Sequence, residues 1–181
     1  MKVERSSITD VLLLEPKVFG DVRGFFYESY NRQTFARATG LDVEFVQDNH
    51  SRSSRNVLRG LHYQLRQPQG KLVRVTAGEI WDVAVDLRRG SGSFGRWTAA
   101  ALSAESRRML WVPAGFAHGF IVLSEHAEVQ YKATDYYAPE HERTLLWNDP
   151  ALAISWPLAG EPVMTDKDRR GAPLAVAETF A

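Results

Sequence analysis

Turn-forming residues cut this chain into short pieces. Gly, Pro, Asn and Asp recur about every 8 to 15 residues, and the runs between them are rich in Val, Ile, Phe, Tyr and Trp. That rhythm leaves no room for long helices and predicts an all-β sandwich or barrel. The clearest strands lie in the middle. Lys71–Thr76 alternates, then Ala77-Gly78-Glu79 turns the chain. In Ile80–Leu87, alternation puts Trp81, Val83, Val85 and Leu87 on one face and Asp82 and Asp86 on the other. Arg96–Leu102 and Met109–Val112 follow as strands. Gly119–Ser124 and Ala127–Thr134 read as a hairpin around Glu125-His126, and Gly24–Tyr30 as an edge strand. One helix is predicted: Asn31 caps it, Phe35 and Ala38 face inward, and Gly40 stands where a left-handed residue ends a helix. After Pro150 the alternation fades, and the tail from about residue 169 is expected to wrap the surface.

Composition narrows the function classes. A chain of 181 residues suits a single domain over 1–181. The 22 basic side chains are balanced by 22 acidic ones, so neither nucleic acid nor a membrane surface is an expected partner. There is no cysteine, which excludes disulfides, thiolate metal sites and a cysteine nucleophile. The N-terminus lacks the apolar core of a signal peptide, and no apolar run approaches the length of a membrane span. A cytoplasmic protein is expected.

Five histidines are candidates for proton transfer near neutral pH. His126 and His141 read as solvated surface groups, and His50 as part of a turn or a ligand wall. His62 lies in Leu58-Arg-Gly-Leu-His-Tyr-Gln64, where alternation puts Gly60, His62 and Gln64 on one face; it is either a satisfied core group or a working one. Arg59 would fall on the opposite face of a regular strand, so a bulge at Gly60 is needed for both to meet one ligand. His118 follows a Pro-Ala-Gly turn in Val112–Phe120. A metal site is disfavoured: the residue after His62 is Tyr63, then Gln64, with no second histidine, and the next carboxylate is the distant Glu79. No phosphate loop, dinucleotide fingerprint or nucleophile elbow is present. What remains is general acid–base chemistry, which beside a ketone needs a base, a group that stabilises the enolate oxygen, and an acid. Tyr131 is either that acid or a core tyrosine, and Lys71 either a working cation or an exposed lysine.

Taken together, Arg59-Gly-Leu-His-Tyr-Gln64, Gly70-Lys71, Val112-Pro-Ala-Gly-Phe-Ala-His-Gly-Phe120, Tyr131-Lys132, Tyr137–Glu142, Trp147–Pro150 and Asp166-Lys-Asp168 closely resemble the dTDP-4-dehydrorhamnose 3,5-epimerase family. The likeness runs from Phe19-Gly-Asp-Val-Arg-Gly24 to Asp168. It implies an all-β double-stranded β-helix (a cupin-like jelly roll) with a few short helices, a homodimer, and no metal or cofactor. It implies His62 as general base paired with Asp168, the neighbouring Asp166 being the alternative, Tyr131 as proton donor and Lys71 beside the ketone oxygen. Arg23, Glu28, Gln47, Asp48, Asn49, Arg59, His118, Tyr137, Glu142 and Lys167 match substrate-binding positions, Arg23 and Glu28 reaching over from a partner subunit. The implied substrate is a dTDP-linked 4-keto-6-deoxy sugar inverted at two carbons. Inversion of one carbon, or a non-catalytic nucleotide-sugar-binding jelly roll, are the alternatives.

Overall fold

The computed structural model describes residues 1–181. Two antiparallel sheets pack face to face. The first runs in the order β1 (Lys2–Arg5), β2 (Leu12–Glu15), β10 (Met109–Val112), β7 (Lys71–Ala77), β12 (His126–Ala133), β5 (Gln47–Ser54). The second runs β13 (Glu142–Thr144), β6 (Leu58–Gln64), β11 (Phe116–Val122), β8 (Glu79–Asp86), β9 (Trp97–Ser103). From β5 to β12 the chain crosses from one sheet to the other at every step except β8 to β9, which pair within the second sheet, as in a jelly roll. A separate two-stranded ribbon joins β3 (Phe19–Asp21) to β4 (Gly24–Phe26). The helices are α1 (Arg32–Thr39) and α2 (Asp166–Arg169), with a 3₁₀ turn at Pro139–His141.

Three apolar layers follow from the alternation. Between the sheets lie Val73, Val75, Ile80, Leu110, Phe116, Phe120, Val129 and their neighbours. Outside the second sheet, Leu61, Tyr63, Val83, Val85 and Leu87 are covered by the chain's last third, which contributes Leu152, Trp156, Leu174 and Phe180. Phe180 is tied there by its amide to Leu87 O (3.0 Å), and Trp81 packs edge-on against Trp97 and Trp156. Outside the first sheet, Leu12, Leu14, Leu72, Met109 and Trp111 receive Phe35 from α1. An eight-residue helix is marginal alone, so that burial and its caps hold α1 in place. Asn31 Oδ1 accepts from Thr34 N at 3.0 Å, and Gly40 closes the helix at φ 77°. Ala38 is only half-buried.

The expected hairpin at Glu125-His126 does not form. β11 pairs with β6 and β8, whereas β12 pairs with β5 and β7, so the chain crosses from one sheet to the other there. Alternation marks a strand but not its partner, and in this jelly roll most successive strands, β11 and β12 among them, belong to opposite sheets. The predicted Gly24–Tyr30 strand is cut to Gly24–Phe26, and α2 arises where no helix was predicted. No helix is long and apolar enough to cross a membrane.

Candidate active site

The site forms where β6, at one side of the second sheet, faces the inner side of β7, β12 and β5. Its key local feature is a bulge. His62 pairs with His118 and Arg59 with Phe120, so three steps along β6 match two along β11. Residues paired across antiparallel strands share a face. His118 and Phe120 both face the space between the sheets, so the extra residue turns Arg59 and His62 the same way. Gly60 permits this: its φ is 122°, and a Cβ there would stand 2.6 Å from Gly119 Cα and 2.8 Å from His118 O. Arg59 Nε then reaches Ser53 Oγ on β5 at 2.9 Å.

His62 Nε2 contacts Asp168 Oδ1 at 2.6 Å. Asp168 is 4% exposed, and its backbone amide is bound by Thr165 Oγ1, the cap of α2 (3.3 Å). Burial pushes the Asp168 carboxyl upward, but the hydrogen bond and charge of His62, with Thr165 and the Gly60 backbone, outweigh it and leave the group below the usual carboxylate range. Asp166, the alternative partner, is exposed and faces Arg170 at 3.9 Å. The short helix therefore decides the pairing: it turns Asp168 to His62, Lys167 to Glu142, and Asp166 to solvent.

Glu142, paired with Gln64 across β13 and β6, is a hub. It accepts Tyr137 Oη at 2.9 Å and binds Lys167 Nζ. Burial raises its carboxyl, yet Lys167, Tyr137 and the field of His62 bring it below the usual range. Gln64 accepts from Ala138 N (3.0 Å) and donates to Gln67 O and Tyr136 O, fixing the loop that carries Tyr137. Gln47 accepts from Tyr137 N (2.9 Å) and donates to Asn49 Oδ1 (3.0 Å).

On the facing sheet, Lys71 opens β7 with Nζ 5.8 Å from the Tyr131 ring centroid. Burial pushes the Lys71 ammonium down to about 8, against the upward pull of Asp82 and Glu142. Burial also raises the Tyr131 phenol, helped by Glu142 and opposed by Arg59. His62, Gln64, Lys71, Tyr131, Tyr137 and Glu142 line one cavity; Arg59, His62, Lys167 and Asp168 line a second, which shares His62 with the first.

Three sequence candidates lie elsewhere. Asp48 alternates to the outer face of the first sheet, away from Gln47 and Asn49, and pairs with Lys132 (2.9 Å). Arg23 pairs with Asp21 in the exposed ribbon, and Glu28 accepts from Asn31 Nδ2 at 2.7 Å; neither joins this cleft. His118 is buried just behind it, opposite His62, with Nε2 2.8 Å from Asp82 Oδ1. The sequence places Asp82 on the polar face of its strand and gives it no role, although an acidic residue amid Ile80, Val83 and Ala84 signals a buried carboxylate in need of a partner. Among the other histidines, His50 faces outward to Glu128 (2.9 Å) and His126 is exposed. No group of three or more His, Asp or Glu side chains is arranged to hold a metal ion.

Against known proteins, residues 5–175 match the dTDP-4-dehydrorhamnose 3,5-epimerase family. A relative of that name from Pseudomonas aeruginosa is 63% identical over 180 residues, covering 99% of each chain. The crystal structure of a dTDP-6-deoxy-D-glucose-3,5-epimerase from Legionella pneumophila, in complex with dTDP-4-keto-L-rhamnose, superposes with a TM-score of 0.95 at 49% identity, covering 98% of this chain and 94% of that one. A 3'-monoepimerase from Streptomyces bikiniensis in complex with dTDP-quinovose superposes with a TM-score of 0.89 at 34% identity, covering 97% of this chain and 88% of the other. With the fold, the cleft and these likenesses in agreement, the chain belongs to the dTDP-4-dehydrorhamnose 3,5-epimerase family.

Proposed function

We propose that this protein epimerises dTDP-4-dehydro-6-deoxy-D-glucose at carbons 3 and 5, giving dTDP-4-dehydro-L-rhamnose, by proton transfer through an enolate. The carrying observation is the facing pair of sheets: His62, backed by Asp168, projects from one, and Tyr131 and Lys71 from the other. A sugar ring held between them meets a base on one side and an acid on the opposite side. With Nε2–H donated to Asp168, the other ring nitrogen of His62 accepts the proton from the carbon beside the ketone. The electron pair moves to the ketone oxygen, where the Lys71 ammonium stabilises the negative charge. Tyr131, its phenol kept protonated by burial, returns a proton to the other face of the carbon. Arg59 and Lys167, in the neighbouring cavity that shares His62, suit the two phosphates. Higher identity to the double epimerase than to the monoepimerase favours inversion at two carbons.

A homodimer belongs to the same proposal. Arg23 and Glu28 stand in or beside a ribbon that exposes Phe19 (53%), Phe25 (60%) and Phe26 (67%). Such a surface suits cover by a second copy, whose cleft Arg23 and Glu28 would complete. A fully active monomer at assay concentration would overturn this. A cysteine-free chain fits a cytoplasmic location.

The test is solvent deuterium uptake into the sugar. Label at both carbons flanking the ketone, lost in His62→Ala, is expected. Label at one carbon would make the protein a monoepimerase, and none with substrate bound would remove the mechanism.

A further inference from the structure

Lys71 has no close counter-ion. Its Nζ makes no hydrogen bond, and no carboxylate lies within salt-bridge distance of it. The titratable side chains that share its cavity are His62 on β6, Tyr131 on β12, and Tyr137 and Glu142 beside the cleft, and the charge of Asp82 on β8 reaches it from below. Only two of these are carboxylates. Glu142 is already engaged by Tyr137 and Lys167. Asp82 is fully buried, gives one oxygen to His118, and leaves Oδ2 without any partner. An unpaired carboxylate oxygen in a protein interior is costly, and such groups mark strain, catalysis or an absent ligand.

We propose that Asp82 is a positioning residue for the reaction: from beneath the cleft it anchors the ring of His118 opposite His62 and supplies the counter-charge that keeps Lys71 cationic for the ketone oxygen. The electrostatics agree, since Asp82 is the larger of the two pulls holding Lys71 up against burial. The role of Lys71 rests on the proposed epimerisation; the coupling of Asp82 to Lys71 does not.

The experiment therefore has one arm free of activity. Lysine labelled with ¹³C at Cε reports the titration of Lys71 directly, assigned by its loss in Lys71→Arg. In Asp82→Asn, which keeps the shape and an acceptor for His118, the Lys71 midpoint is expected to fall by about one unit. The alkaline limb of the kcat–pH profile should fall with it, KM changing little, and in a Lys71→Arg background Asp82→Asn should no longer move that limb. An unchanged Lys71 midpoint would overturn the proposal. A moved midpoint with no deuterium uptake by wild type would instead keep the coupling and remove the reaction. Asp82→Leu, branched at the same carbon and uncharged though larger, is the second variant; failure of both to fold would assign Asp82 to the fold alone and overturn the proposal.

Discussion

Asp82 and Asp86 stand four residues apart on the same face of β8, both fully buried, and the protein treats them differently. Asp86 accepts from Arg88 N (2.9 Å), Nε (2.9 Å) and Nη2 (2.7 Å), from Ser91 Oγ (2.7 Å) and from Ser93 Oγ (2.6 Å). Burial raises its carboxyl, but these donors overcome it and hold it down at about 2. Arg88 lies over the Phe116 ring and reaches Asp10, so the cluster locks the loop after β8 to the start of β11. Asp82 has one hydrogen bond and one orphan oxygen. A carboxylate saturated by its own loop stabilises a fold. One left half-satisfied behind a cleft has charge to offer the cleft.

The sharpest way to break this comparison is to remove each carboxylate in turn. Asp86→Ala leaves a half-buried guanidinium edge and two serine hydroxyls without their acceptor. It is expected to cost about 3–5 kcal/mol in urea unfolding. Asp82→Asn removes an oxygen that had no partner, so its unfolding free energy should stay within about 1 kcal/mol of wild type. Equal losses would mean that Asp82 is structural too, and the contrast would collapse.

A smaller effect is expected at Gly60, whose bulge gives the orphan carboxylate's cleft its two ligand-facing groups. Gly60→Ala must strain a φ of 122° and push a methyl into Gly119 and the His118 carbonyl. A loss of about 2–3 kcal/mol is expected, with a rise in KM as Arg59 turns away from His62. If KM holds while stability falls, the bulge serves packing rather than the site.

That bulge was legible in the sequence, because alternation put Arg59 and His62 on opposite faces and one of the two residues between them is a glycine. So were most strands and the caps of α1, which are written in a few adjacent residues. Strand partners were not: β11 and β12 look like a hairpin because nothing local says which sheet each joins. The contact of His62 with Asp168 joins residues 106 apart, and only the ordered motifs of a family resemblance brought them together beforehand. The choice between Asp166 and Asp168 needed the turn of α2. Asp48 came with the resemblance, and its place follows from the strand: β5 turns it to the face opposite Gln47 and Asn49, toward Lys132. Asp82 went unassigned because a polar face on a strand reads as solvent until a second sheet covers it.

The smallest effect tests the Asp86 side of the comparison by pH. The Asp86 carboxyl is held at about 2, below its ordinary 3.8. Its contribution is fully present above that ordinary value and is lost as pH falls toward 2, because the unfolded chain takes up the proton first. A shift of nearly two units corresponds to on the order of 2 kcal/mol. Asp168, also held low, acts in the same direction. Stability measured between pH 4 and 2 should therefore decline steeply in wild type and less steeply in Asp86→Asn, by about that amount. An unflattened slope in Asp86→Asn would show that the five hydrogen bonds to Asp86 do not hold its carboxyl low, and that saturating a buried carboxylate with donors is not what makes it structural here.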